Sequence, residues 1–156
     1  MKHTKVILFI LISSMIAACS VDSSNSNLIS DNTSSISGID IDNNGVRDDV
    51  DKYIDSKPDI KIQKQSLKMV SRAMTLAMTS AEPTPPNPAA LTNATNSLNM
   101  AMACLWNSYP GGDENKMLLE IEKLTVNNKN REKAYRRHSV LTSGAVIKAP
   151  RDVICE

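Results

Sequence analysis

The densest set of hard oxygen donors in this chain lies in twelve consecutive residues, Asp40-Ile41-Asp42-Asn43-Asn44-Gly45-Val46-Arg47-Asp48-Asp49-Val50-Asp51. Oxygen donors in a tight loop suit a hard divalent cation, since Ca²⁺ takes about six to eight oxygen ligands at about 2.3–2.6 Å and the loop must fold them around one point. Gly45 permits the left-handed backbone that such a reversal needs. Without a cation, the carboxylates of Asp40, Asp42, Asp48, Asp49 and Asp51 repel one another; with one, the loop becomes a fixed start for the helix that carries Val50 and Tyr53. The plainer reading of the same residues is a solvated Asp/Asn-rich turn that caps this helix.

The pattern is similar to the EF-hand-like loops of dockerins and of thrombospondin type 3 repeats, which place Asp or Asn at the first, third, fifth and ninth positions and Asp at the twelfth. All of these positions match. The resemblance implies that Asp40, Asp42 and Asn44 donate side-chain oxygens, Val46 its carbonyl, Asp48 a direct or water-mediated oxygen, and that Asp51 closes the shell. Two positions depart from the EF-hand proper. Asp51 stands where that motif has a bidentate Glu, and Arg47 where an aliphatic residue commonly pairs two loops. No helix precedes the loop and no second copy follows it, so the expectation is a structural calcium site of extracellular strength, and neither a dockerin nor a calcium sensor.

Cysteine chemistry divides in two. Lys2 and Lys5, the apolar stretch Val6–Ile12 and the small residues before Cys19 have the three-part layout of a secretory signal. The apolar stretch falls well short of the roughly 20 residues a membrane-spanning helix requires. Ile16-Ala17-Ala18-Cys19 resembles the lipobox of bacterial lipoproteins, which implies removal of residues 1–18 and a diacylglycerol on the Cys19 sulfur. Each buried methylene of such chains contributes about 0.8 kcal/mol, so two or three chains anchor firmly. Ser20 resembles the outer-membrane sorting pattern. The expected location is therefore the cell envelope, lipid-anchored, on the outer membrane facing the periplasm. In that oxidising compartment Cys104 and Cys155 are expected to form a disulfide, the other reading being two buried free thiols.

Composition narrows the rest. Of 156 residues, 138 remain after cleavage, enough for one domain with a modest core. Subtracting Lys2 and Lys5 from 18 basic side chains leaves 16 against 17 acidic ones. With one Trp, one Phe and three Tyr, the chain is also poor in stacking residues, and no nucleic-acid partner is expected. Charge is uneven: residues 40–59 are acidic, whereas Lys123, Lys129, Arg131, Lys133, Arg136, Arg137, Lys148 and Arg151 make the C-terminal third basic. That third reads as a solvated helix face or as a patch for phosphate-bearing lipid, lipopolysaccharide or an acidic protein. Zinc-protease, serine-hydrolase, Walker and dinucleotide glycine patterns do not occur in the sequence. His138, the one histidine past residue 18, falls on an apolar helical stripe, where a core role competes with a catalytic one.

The elements that must position these groups are helical. Residues 19–38 are rich in Ser, Asn and Asp and read as a lipidated, flexible tether with a reach of about 25 Å. Residues 39–156 are expected to form an all-α domain of about five helices. Val46, Val50, Tyr53 and Ile54 start a short helix that Pro58 closes; Leu67, Val70, Met74, Ala77, Met78 and Ala81 stripe a second; Leu91, Ala94, Leu98, Ala101, Met102 and Leu105 stripe a third, which opens at Asn87-Pro88. Met117, Leu118, Ile121 and Leu124 follow Asp113, a candidate cap. Asn127 or Asn128 can cap a fifth helix burying Ala134, Tyr135, His138 and Leu141, and an extended tail pinned by Cys155 ends the chain. Met69, Met74, Met78, Met100, Met102 and Met117 form either an adaptable groove or a helical core. These features predict a non-enzymatic lipoprotein that offers a helical surface to an envelope protein or an anionic envelope component. The alternatives are an inhibitor or immunity-type lipoprotein, or an enzyme with an unrecognised site.

Overall fold

In the computed structural model, residues 30–145 are described together with Val153 and Cys155. Cys19, Lys148 and Arg151 lie outside them. Five helices follow in order: α1 (Asp48–Ser56), α2 (Lys61–Ser80), α3 (Pro88–Ser108), α4 (Glu114–Thr125) and α5 (Lys129–Leu141). The described residues contain no strand, and the domain is all-α.

Local chemistry sets most of the boundaries. Asn87 Oδ1 accepts from the N–H groups of Ala89 at 2.9 Å and Ala90 at 3.3 Å, while Pro88 fills the first position of α3, where no donor is needed. Asn128 does the same for Asn130 and Arg131 at the start of α5, each at 3.0 Å. Pro58 pushes Lys57 into an extended conformation and so ends α1. Helix α2 starts without a capping side chain at Ile60, whose own N–H is taken by Gln63 Oε1 at 3.1 Å. Asp113 precedes α4 but makes no side-chain cap. Its backbone is already in the helical region, whereas a capping side chain works from an extended residue.

Helix α2 is the axis of the domain, with α3, α4, α5 and α1 all packed on it. Its stripe Leu67, Val70, Ala73 and Met74 meets Val46, Val50 and Ile54 from the loop and α1, Ala101 and Leu105 from α3, and Met117 and Ile121 from α4. Polar groups inside this core come in pairs, as burial demands. Ser71 and Thr125 hydroxyls lie 3.0 Å apart between α2 and α4, and Ser108 donates to Ser66 at 2.7 Å between α3 and α2. Tyr109 donates to Asp59 at 2.9 Å, fixing the end of α3 against the α1–α2 connection.

Three further features depart from what the sequence leads one to expect. Leu141, placed on the buried stripe of α5, is 39 % exposed at the last residue of that helix. Among the methionines, Met74, Met78 and Met117 are buried core, but Met100 is exposed. The stretch Ser30–Gly38, read from composition as part of the flexible tether, lies against α5 and the loop. Asp31 is buried, and its neighbours are bound through backbone carbonyls and amides, so hydrogen bonds supply what the missing apolar area does not. No helix among the described residues is long and apolar enough to cross a membrane.

Cys104, buried on α3, is joined to Cys155 with 5.6 Å between the Cα atoms, closing a loop of 51 residues. A loop of that size contributes about 4 kcal/mol in the chain-entropy model. Reduction, or the Cys104→Ser and Cys155→Ser double change, is expected to lower unfolding free energy in urea by about 2–4 kcal/mol. Equal denaturation midpoints for oxidised and reduced protein would contradict this.

Candidate metal centre

The loop 40–51 is built by its own side chains. Asp40 accepts from the backbone N–H of Asn44 at 3.1 Å and of Gly45 at 2.8 Å, and Asp42 accepts from Asn44 N–H at 3.2 Å. The reversal passes through left-handed residues at Asn43 and Gly45, with φ of 55° and 82°. Gly45 performs the turn expected of it, and it also lies under Arg72 of α2: a Cβ there would meet the Arg72 side chain at 3.1 Å. Arg72 Nε donates to the Asn44 carbonyl at 2.8 Å. The loop closes where Asp48 N–H donates to the Ile39 carbonyl at 2.8 Å and Asp48 Oδ1 accepts from Ile41 N–H at 3.0 Å.

Of the six expected ligands the structure gathers three. One carboxylate oxygen from each of Asp40, Asp42 and Asp48 lies within 4.8 Å of the others. Two oxygens on opposite sides of a Ca²⁺ ion stand at most about 5 Å apart, so this spread fits one hard cation. Asn44 and Asp51 are otherwise engaged. Asn44 Oδ1 accepts from Val46 N–H at 2.7 Å while its amide donates to Asp42 and Asp51, and Asp51 also meets Lys68 Nζ at 2.8 Å. Val46 is fully buried, its side chain part of the core. Hydrogen bonding from the Asn44 backbone holds the Asp42 carboxyl below its ordinary range and favours its ionised form. Burial alone would lower the Lys68 pKa, but Asp51 and Asp55 raise it instead, and the ammonium keeps its charge beside the loop.

What holds the loop to the helices is a set of residues that the ligand pattern did not single out. Arg47, buried, donates to both carboxylate oxygens of Asp49 and to the carbonyls of Leu124 at 2.7 Å and Thr125 at 3.1 Å, at the end of α4. Arg131 of α5 is 0 % exposed and donates to the Asp31 carbonyl at 2.7 Å, the Asp31 carboxylate at 3.3 Å and the Ile36 carbonyl at 3.2 Å. Asp31 N–H donates to Asp49 at 2.9 Å and ties the two pairs together. Gly38, at φ 76°, has no room for a Cβ, which would stand 2.2 Å from Arg47 and 2.4 Å from Asp31. Arg131 is thus withdrawn from the basic surface to which sequence assigned it. The signal was present: counting back along α5 from His138 and Ala134 lands on Arg131 at helical spacing, on the inner face.

His138 is 3 % exposed, with Nε2 3.4 Å from Thr95 Oγ1, and burial lowers its pKa. It occupies the α3–α5 contact as an interior side chain. Comparison with protein-family models, curated proteins and solved structures finds no match for this chain.

Asp31 ties the cluster to pH. Burial would raise its carboxyl pKa, but hydrogen bonds from Thr33 and Ile39 and the charge of Arg131 bring it down to about 2. A carboxyl depressed on folding stabilises above its unfolded pKa and loses that contribution as pH falls through the folded value. Stability is therefore expected to drop by about 2 kcal/mol between about pH 4 and pH 2, and Asp31→Asn to flatten that window in urea titrations at stepped pH. Arg131→Ala leaves buried Asp31 without its cation and is expected to cost about 3–5 kcal/mol at neutral pH. A cost under about 1 kcal/mol by the same measurement would refute the role given to Arg131.

Proposed function

We propose that this chain is a non-enzymatic envelope lipoprotein, anchored through lipid on Cys19, whose helical domain carries a structural calcium ion in the 40–51 loop and serves as a binding module for an envelope protein or an anionic envelope component. The observation that carries the cation is the convergence of Asp40, Asp42 and Asp48 on one point, on a loop that Arg47 and Arg72 fix to the helices. The match of the loop to the dockerin and thrombospondin type 3 pattern supports the same ion. Asp40, Asp42 and Asp48 would supply its charged ligands, and bound calcium would relieve the repulsion among these carboxylates. Asp51 would join them by exchanging its contact with Lys68 for one with the ion.

A binding role is supported by the position of His138, which is closed between α3 and α5, and by a run of exposed cations on α5 that no interior contact explains. The envelope location rests on the lipobox-like Ile16-Ala17-Ala18-Cys19 and agrees with the oxidised Cys104–Cys155 pair.

Thermal melts of the oxidised protein in millimolar calcium, in magnesium and in chelator test the site. With a dissociation constant of about 0.1–1 mM and about 5 mM calcium, binding contributes about 1–2 kcal/mol, a rise in Tm of roughly 4–8 °C. The rise is expected to vanish in Asp40→Asn with Asp42→Asn, which keeps the acceptors for the loop amides but removes two charges. Identical melts of the unaltered protein in calcium and in chelator would remove the ion from this reading.

A further inference from the structure

The docking of Ser30–Gly38 fixes where the chain that leads back to Cys19 leaves the domain. Asn127 Nδ2 donates to Ser30 Oγ at 2.8 Å, Asn128 Nδ2 to the Thr33 carbonyl at 3.1 Å, and Arg131 Nε to the Ile36 carbonyl at 3.2 Å. Ser30 is thereby fixed at the α4–α5 junction, and the residues after it run along the first half of α5. Ten residues lie between Cys19 and Ser30. Whatever their conformation, they cannot hold the two more than about 40 Å apart.

At this exit the outer face of α5 carries Lys129, Lys133 and Arg136, all exposed. Glu132 is the one acidic residue in the helix, and it pairs with Arg136 at 2.6 Å; among the described residues Lys129 and Lys133 make no ion pair. A cleft of about 180 Å³ beside Lys133 is lined also by Ile36, Glu82, Asn130 and Arg137, with Asn130 donating to the Ser34 carbonyl and Arg137 to the Pro83 carbonyl. The acidic loop is held both to this junction, through Arg47, and to Arg72 of α2.

We infer that this face of α5 is the membrane-facing side of the domain, with Lys129, Lys133 and Arg136 resting on the phosphates of anionic phospholipid headgroups in the bilayer that holds the anchor. The inference rests on the lipoprotein reading of Cys19. Each Lys or Arg near an anionic surface strengthens association by about fivefold, and the attraction fades beyond about 8 Å, so two unpaired amines beside a Glu132-paired guanidinium suffice because the connection to the anchor keeps them at high effective concentration near the surface.

Amine footprinting tests it on the full chain, produced with its own leader in a Gram-negative host and reconstituted in vesicles of phosphatidylethanolamine with about 30% phosphatidylglycerol, or of phosphatidylcholine alone. The mass of the N-terminal peptide reads the lipid on Cys19 independently. Lys129 and Lys133 are expected to acetylate about 5-fold more slowly on the anionic vesicles, with the difference abolished by about 0.5 M salt. Lys61 and Lys116, at the far ends of α2 and α4, are expected to react equally on both. Equal rates for Lys129 and Lys133 on the two vesicles, or the same protection at Lys61 and Lys116, overturn the orientation while leaving the anchor standing. A Cys19 without lipid overturns both.

Discussion

Two guanidinium groups and two carboxylates share the interior where the N-terminal segment, the acidic loop, the end of α4 and the start of α5 meet. Arg47 and Arg131 balance Asp49 and Asp31 in charge, and their other hydrogen bonds go to Asn127 Oδ1 and to the carbonyls of Asp31, Ile36, Leu124 and Thr125. Removing two cations from water costs several kcal/mol each unless charge and hydrogen bonds are both returned. The geometry returns both, and it does so only when four separate pieces of chain are in place. Burial and the neighbouring Arg47 charge weaken the hold of Arg131 on its proton, and Asp31 opposes them. The cluster therefore specifies an arrangement more than it adds net stability: no apolar core of this size would dictate how residues 30–47 lie.

The acidic loop inherits its position from that arrangement. Arg47 sits between Val46, which enters the core, and Asp48, which faces the other carboxylates, so one short segment is at once core, clamp and candidate ligand. A loop attached at both its carbonyls and its side chains has already given up most of its conformational entropy, so an ion would have to rearrange only Asn44 and Asp51.

Much of the helical architecture was legible because it follows from repetitive rules. The stripes of α2 and α3 obey helical spacing for about four turns, and Asn87-Pro88 and Asn128 announce their helices through groups that act on the next three residues. Gly45 and the Asp40-Asp42-Asp48 convergence were legible for the same reason, since the ligand pattern is a local code. What composition hid was non-local. Ser30–Gly38 has almost nothing apolar to bury and reads as loose chain, yet it is held by Asn127, Asn128 and Arg131 from about a hundred residues away. Arg47 and Arg131 look like surface charges to any rule that equates charge with solvent, and only their register on buried faces separates them from Lys129 and Lys133.

The span of the Asp31–Arg131 contact, 100 residues, also sets an order of events. A chain delivered N-terminus first exposes Asp31 long before its partner exists, and at about 5–20 residues per second the wait is about 5–20 s. During that interval α1, α2 and α3 can pair through their near-neighbour contacts, whereas the first described residues have only Asp49 and Ile39 to close upon. The beginning of the domain is thus among the last parts to settle, and the stretch at Ser30 stays open to other molecules until α5 has emerged to draw it in.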